Sequence, residues 1–157
     1  MESSTNSCAP VTPLADLASI EQAVMNVAER SFFAFAEAVA LSTAADLVAN
    51  GAPALTSAVH FSGPSRGQMR VTMPVTLARE LAQQFSGDPS LEFSDADLTD
   101  MAGEFTNMVT GAWLTAADAS SMFDLTAPEV TRVDSTPAVA LMMQINGQPV
   151  GLSWLVE

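Results

Sequence analysis

The sequence predicts an α+β domain in which helices pack on a largely antiparallel sheet. Three segments have apolar residues at helical spacing and five have strand-like composition, in the order helix, two strands, two helices and three strands. Apolar residues make up 48% of the 157 residues, enough for one hydrophobic core. Residues 17–157 are therefore assigned to a single domain, and residues 1–16, with several Ser and Thr residues and two prolines, to a flexible tail.

The first helix is expected to begin near Ser19, where Ser19 and Gln22 can form a capping box. Residues 31–41 are apolar on nearly all sides and include three phenylalanines. That composition predicts a continuation of the helix that is buried by its neighbours. Asn50, Gly51 and Pro53 are expected to end this region.

Residues 55–61 and 68–73 are predicted to form two strands. The glycine-containing connection at 62–67 could be a phosphate-binding loop, but no helix N-terminus follows it and the Gly-Lys-Ser/Thr ending is absent. A hairpin turn is favoured instead. A second helix is predicted near 76–85 and a third from Ser94 or Asp95 to about 119. Strands are predicted near 123–133, 139–145 and 150–156, with a hairpin turn at Asn146-Gly147.

The charge excludes several classes of function. The net charge is −13, with five arginines and no lysine. Such a field repels nucleic acids and anionic membrane surfaces, so neither is an expected partner. It would attract a partner with a basic rim, or it serves solubility alone.

Cysteine and histidine usage limits the possible chemistry further. Cys8 is the only cysteine and His60 the only histidine, which excludes a disulfide framework and a cysteine-based zinc site within one chain. No apolar run reaches about 18 residues, and the N-terminus lacks a basic cluster. The protein is expected to be cytoplasmic.

The third helix carries the most informative pattern. On a helical wheel, a core-facing arc is formed by Leu98, Met101, Phe105, Met108, Val109 and Ala112. A second stripe is formed by Asp100, Glu104, Asn107 and Gly111. Glu104 and Asn107 are three residues apart, so their side chains are neighbours.

Two readings of this stripe remain open on helix physics alone. Gly103 and Gly111 each cost about 1 kcal/mol relative to Ala in a helix interior. Two such glycines beside a polar pair indicate that another group approaches the backbone of the third helix closely there. The alternative is a solvated face in which both glycines are tolerated for packing.

The wider segment resembles a known family. Gly103-Glu104-Phe105-Thr106-Asn107-Met108-Val109-Thr110-Gly111 is similar to the Gly-Glu-x-x-Asn-[Met/Ile]-[Ile/Val]-x-Gly signature of the CheX and CheC phosphatases of bacterial chemotaxis. Asp100 matches an Asp or Ser expected four residues before the Glu, and Pro128 lies near the place of an expected proline. Residues 61–63 and 73–82 resemble the family's first hairpin and its exit into a helix. The length and element order agree with CheX.

The resemblance implies a CheX/CheC-like fold, with two long helices and a shorter helix packed on the sheet, and a phosphatase activity. The implied substrate is the phosphoaspartate of a CheY-like receiver domain, and the receiver supplies the Mg²⁺, so this chain is expected to bind no metal. Asn107 is expected to orient the attacking water and Glu104 to pair with a receiver lysine. Asp100, Gly103, Gly111 and Pro128 are expected partner-binding residues. A homodimer formed by continuation of the sheet is also expected.

Some residues depart from the family pattern. CheC has two Glu-x-x-Asn elements, whereas Glu21 and Asn26 of the first helix have the wrong spacing, so one site is expected. Ala112 replaces a usual Asn, and Trp113 follows it. Trp113 could bind a partner as an exposed aromatic or be partly buried. These departures leave open a non-catalytic module of the same fold that binds phosphorylated receivers or other signalling proteins.

Overall fold

The computed structural model describes residues 16–157, which contain three α-helices, one 3₁₀ segment and seven strands. In chain order these are α1 (Leu17–Phe32), β1 (Ala36–Val39), the 3₁₀ segment (Leu41–Gly51), β2 (Ala54–Ser62), β3 (Gly67–Pro74), α2 (Val75–Ser86), α3 (Asp95–Ala117), β4 (Asp124–Leu125), β5 (Glu129–Val133), β6 (Leu141–Ile145) and β7 (Gln148–Val156). The predicted fold class is confirmed. The predicted tail lies outside the described residues except for Asp16, which caps α1.

All strands belong to one antiparallel sheet with the order β1-β6-β7-β3-β2-β4. β5 pairs with the first half of β2 and β4 with its last two residues, so these two short strands share one edge. β1 forms the opposite edge. The Asn146-Gly147 turn between β6 and β7 has φ values of 51° and 83°, the left-handed conformation expected for a tight hairpin.

The three helices cover one face of the sheet and bury the main core. Leu55 and Phe61 of β2 and Met69 of β3 belong to a cluster of buried residues shared with all three helices. The ring of Phe61 meets Trp113 edge-to-face, with the ring centroids 5.5 Å apart. Trp113 is fully buried, so it is part of the core and cannot bind a partner as an exposed aromatic.

The 3₁₀ segment covers part of the opposite face. Leu47 is buried there. A Cβ on Gly151 of β7 would lie 2.7 Å from Val139 Cγ1 and 2.9 Å from Leu47 Cδ1. The glycine therefore provides the space in which the segment rests on the sheet.

The prediction of a buried helix over residues 31–41 was wrong. α1 ends at Phe32, and Phe33 takes a left-handed conformation with φ 53° while its N–H donates to the Ala28 carbonyl. β1 then pairs with β6, with Ala36 opposite Ile145. Because the apolar run has no helical period, pairing with a strand over 100 residues away decides its conformation. Phe33 and Phe35 are left 78% and 68% exposed.

The start of α1 also differs from prediction. The Asp16 carboxylate, not Ser19, caps the helix by accepting from the Ala18 N–H at 3.1 Å. Ser19 donates its hydroxyl to the same carboxylate. An aspartate is as good an N-cap as serine, and it lies one turn earlier in the chain.

Candidate functional site

A capping box fixes the beginning of α3. The Ser94 hydroxyl accepts from the Asp97 N–H at 3.1 Å, and the Asp97 carboxylate accepts from the Ser94 N–H at 2.9 Å. Asp95 and Asp97 also place negative charge at the positive end of the helix dipole. These contacts account for the acids at the helix start without a metal ion. Within residues 16–157, no cluster of three or more potential metal ligands occurs.

Burial of one face sets the rotation of α3. Leu98, Phe105 and Val109 are buried as predicted, whereas Met108 and Ala112 are only half-buried. The buried arc extends instead over Thr106 and Thr110. Their hydroxyls donate to carbonyl oxygens one turn earlier, at 3.0 and 2.6 Å. The arc is wider than predicted because α3 packs against α1 and α2 as well as against β2 and β5.

This rotation leaves the second stripe at the surface. Asp100 and Glu104 are exposed, and Asn107 is half-buried. The side-chain hydrogen bonds of α3 within the described part of the chain are those of the capping box, Thr106 and Thr110. Among the described residues, the Glu104 carboxylate and the Asn107 carboxamide therefore have no hydrogen-bond partner, and both can bind another molecule.

Glu104 lies on a ridge between two depressions. The first, which we call the α2–α3 groove, has a volume of about 450 Å³. It is lined by Ala82, Phe85, Ser86, Leu91, Glu92, Phe93, Asp97, Asp100, Met101 and Glu104. The second, the Pro128 hollow, has a volume of about 340 Å³ and is lined by Thr99, Asp100, Gly103, Glu104, Pro128 and Val130. Asp100 and Glu104 border both, so a molecule bound at Glu104 would lie against both depressions.

Gly103 and Pro128, both predicted to contact a partner, contact each other. A Cβ on Gly103 would lie 3.0 Å from Pro128 Cβ and 3.3 Å from Pro128 Cγ. Gly103 itself is buried. The close approach that the sequence predicted at this glycine therefore comes from the loop between β4 and β5. Pro128 is exposed and remains available to a partner.

Gly111 has a different environment. A Cβ built there would meet no non-local atom within 4 Å, and the residue is half-buried on the same side of α3 as Asn107. Packing among the described residues does not require a glycine here. The position leaves open backbone beside the polar pair, which a second molecule could approach closely.

α1 offers no second polar pair of this kind. Glu21 and Asn26 lie five residues apart, and the Asn26 carboxamide oxygen accepts from Gln22 at 2.9 Å. The side chain of Asn26 is thus engaged within its own helix. In residues 16–157, by contrast, the functional groups of Glu104 and Asn107 make no side-chain hydrogen bond.

The α2–α3 groove was not predicted from the sequence. Phe85 and Leu91 stand on either side of the turn between α2 and α3, and each is partly exposed. Apolar residues at a helix end and in a loop are individually unremarkable in a sequence. Only the packing of α2 beside α3 places them next to Glu104.

A family model described as chemotaxis phosphatase CheX matches residues 55–146 of this sequence. The chain belongs to the CheX family. The matched region runs from β2 to the β6–β7 turn and contains α3 with Glu104 and Asn107. The Pro128 hollow lies within the same CheX region.

Solved CheX structures share the fold. CheX from Vibrio vulnificus is 22% identical, with a TM-score of 0.63 over 90% of this chain and 98% of that one. CheX from Desulfovibrio desulfuricans is 16% identical, with a TM-score of 0.62 over 89% and 97%. The CheX of a CheX–CheY–BeF₃–Mg²⁺ complex from Borrelia burgdorferi is 15% identical, with a TM-score of 0.55 over 89% and 96%. No curated protein matches the sequence. No helix within residues 16–157 has the length and hydropathy to span a membrane.

Proposed function

We propose that this CheX-family chain is a phosphatase that hydrolyses the phosphoaspartate of a CheY-like receiver domain. The observation that carries the proposal is the Glu104–Asn107 pair, which lies at the surface of α3 with both functional groups unoccupied in the described structure. The CheX structure solved in complex with CheY, BeF₃ and Mg²⁺ supports the choice of partner. We also expect this chain in the cytoplasm, as its sequence predicts.

Asn107 is assigned the central catalytic role. Its carboxamide would hold a water molecule in line with the phosphorus–oxygen bond of the phosphoaspartate. The water oxygen forms the new bond to phosphorus as the bond to the aspartate oxygen breaks, which yields inorganic phosphate and a free carboxylate. The water's proton is taken up by phosphate oxygens. A neutral amide suits this role because it does not repel the phosphoryl oxygens, and phosphoryl transfer depends mainly on positioning and charge neutralisation.

Glu104 is assigned to partner binding. An exposed carboxylate one turn of helix from the amide can pair with a lysine beside the receiver's phosphoryl group. Asp100 adds a second negative charge one turn earlier. Mg²⁺ would be held by the receiver and would neutralise charge on the phosphoryl oxygens. The net charge of −13 would speed encounter with a receiver surface of opposite sign.

The test is phosphate release from phosphorylated CheY-like receivers of the source genome with Mg²⁺. The wild type is expected to accelerate release, and Asn107→Ala to lose most of that acceleration without losing stability, because Asn107 lies off the buried arc. Asn26→Ala is a matched control, since Asn26 is also a half-buried helical asparagine. Full activity in Asn107→Ala would overturn the mechanism.

A non-catalytic module that binds phosphorylated receivers is the second candidate. The observation that favours it is Ala112, which stands where the family usually has Asn. Ala112 packs against the core cluster from its edge, so the replacement also has a structural explanation. Tight binding of a BeF₃-activated receiver without accelerated phosphate release would favour this candidate.

We further propose that two copies associate through the β1 edge of the sheet. Within residues 16–157, β1 pairs with β6 and with no other strand, and exposed Phe33 and Phe35 lie beside it. A strand edge flanked by exposed aromatic residues is suited to sheet continuation. The opposite edge is divided between β4 and β5, which makes it a poorer template.

A further inference from the structure

The α2–α3 groove adjoins the Glu104–Asn107 pair but is not used in the chemistry proposed above. We propose that it is a recognition groove for the receiver, which accepts an apolar side chain flanked by basic residues from the receiver surface beside the phosphorylated aspartate. This inference rests on the proposed function and extends it from the reacting groups to the choice of partner.

The floor of the groove is apolar and held in place. Phe85 is 55% exposed and Leu91 is 46% exposed. The Phe85 ring lies 5.6 Å from that of Phe32, which is fully buried and itself lies 5.8 Å from the ring of Phe105. Phe85 is thus the outermost member of a row of aromatic rings that leads into the core. A partner's apolar side chain would bury this exposed surface against a rigid support.

The turn that carries Leu91 is also organised. The Asp88 carboxylate accepts hydrogen bonds from the Ser90 hydroxyl at 2.6 Å and from the Ser90 N–H at 2.9 Å. These two bonds hold the pKa of Asp88 below its ordinary value. The capping box at Ser94 then fixes the other end of the loop. A groove wall with such internal bonds needs little ordering when a partner binds.

The rim determines the charge of the occupant. The acids Glu92, Asp97, Asp100 and Glu104 line the groove, and no lysine or arginine is among its lining residues. Positive side chains on the partner are the complement of such a rim. A second copy of this chain is disfavoured as the occupant of the groove, because the chain has only five basic residues, all arginines, to complement the acidic rim. An acidic peptide or a nucleic acid is disfavoured because the rim repels negative charge.

Continuity with the reacting pair identifies the partner as the receiver. Asp100 and Glu104 line the groove and also belong to the polar stripe that carries Asn107. A receiver whose phosphoryl group reaches Asn107 must therefore lie over the adjoining end of the groove. In that orientation, the part of the receiver that covers the groove is the surface around its phosphorylated aspartate.

Steady-state kinetics of phosphate release separate recognition from chemistry. Two groove variants are tested: Leu91→Ser alone, and Leu91→Ser combined with Phe85→Ala. The matched control is Leu155→Ser, because Leu155 is 52% exposed and lies on the far face of the sheet. The double variant is expected to raise KM about tenfold or more, as loss of a buried contact does at an interface, and to change kcat less than twofold. The control should match the wild type. If Phe85→Ala lowers the stability of the double variant, the single variant Leu91→Ser still reports on the groove.

The outcomes distinguish this proposal from the proposed function. An Asn107-dependent phosphatase whose KM is unchanged in both groove variants would overturn the groove proposal alone. If the wild type hydrolyses nothing, the Kd for a BeF₃-activated receiver is measured instead. Weaker binding by the groove variants than by the wild type would support the groove proposal. Unchanged binding, or no binding by the wild type, would overturn it. A change in sedimentation of the groove variants without a change in receiver affinity would assign the groove to a second copy and also overturn the proposal.

Discussion

Replacement of Gly111 by alanine should stabilise the protein and weaken its interaction with a receiver. Gly111 lies inside α3, and an added Cβ meets no non-local atom within 4 Å. The substitution therefore adds helix propensity without a clash. Glycine in a helix interior is less favourable than alanine by about 0.5–1 kcal/mol. About 1 kcal/mol corresponds to roughly 2–4 °C in Tm for a domain of this size, so an increase of about 1–4 °C is expected.

The measurement is thermal unfolding together with urea unfolding. The urea midpoint should rise with an unchanged m value, since the surface exposed on unfolding is the same. Gly147→Ala is the matched control: its Cβ also meets nothing within 4 Å, but its φ of 83° is a conformation that costs an L-residue about 1–2 kcal/mol. The two variants should therefore change stability in opposite directions.

The methyl group added at Gly111 should also affect the interaction with a receiver. If a receiver approaches the α3 backbone beside Asn107, the methyl group occupies that space, and the KM for the phosphorylated receiver should rise severalfold. A Gly111→Ala variant that is destabilised would refute the structural reasoning. One that is stabilised, with wild-type kinetics, would show that no partner atom approaches this glycine.

Two further predictions concern the partners. Glu104→Ala is expected to raise the KM for the phosphorylated receiver about tenfold and to reduce the dependence of this KM on salt, with kcat little changed, because an exposed carboxylate acts in binding. An unchanged KM with an unchanged salt dependence would contradict the role assigned to Glu104. Phe33→Glu combined with Phe35→Glu is expected to convert a dimer to a monomer in sedimentation equilibrium, because negative charges replace the exposed rings beside β1. A dimer that survives both substitutions would use another surface.

The sequence by itself determined the features that depend on near neighbours along the chain. The start of α3 was predicted at Ser94 or Asp95, and Ser94 is the N-cap. The side-by-side placement of Glu104 and Asn107 follows from their helical spacing. The Asn146-Gly147 hairpin was likewise predicted from two residues and is confirmed. The exposure of the polar stripe required only the 3.6-residue period of the helix.

The tertiary structure decided the features that depend on distant segments. Residues 36–39 became a strand because β6 offers a pairing edge, and a side chain at Gly103 would be crowded because Pro128 packs over it. Phe85 and Leu91 form a groove beside Glu104 only because α2 packs next to α3. Helical periodicity and capping act over one or two turns, so a sequence displays them directly. Strand pairing and groove formation join residues far apart in the chain, and their outcome depends on which surfaces the whole core brings together.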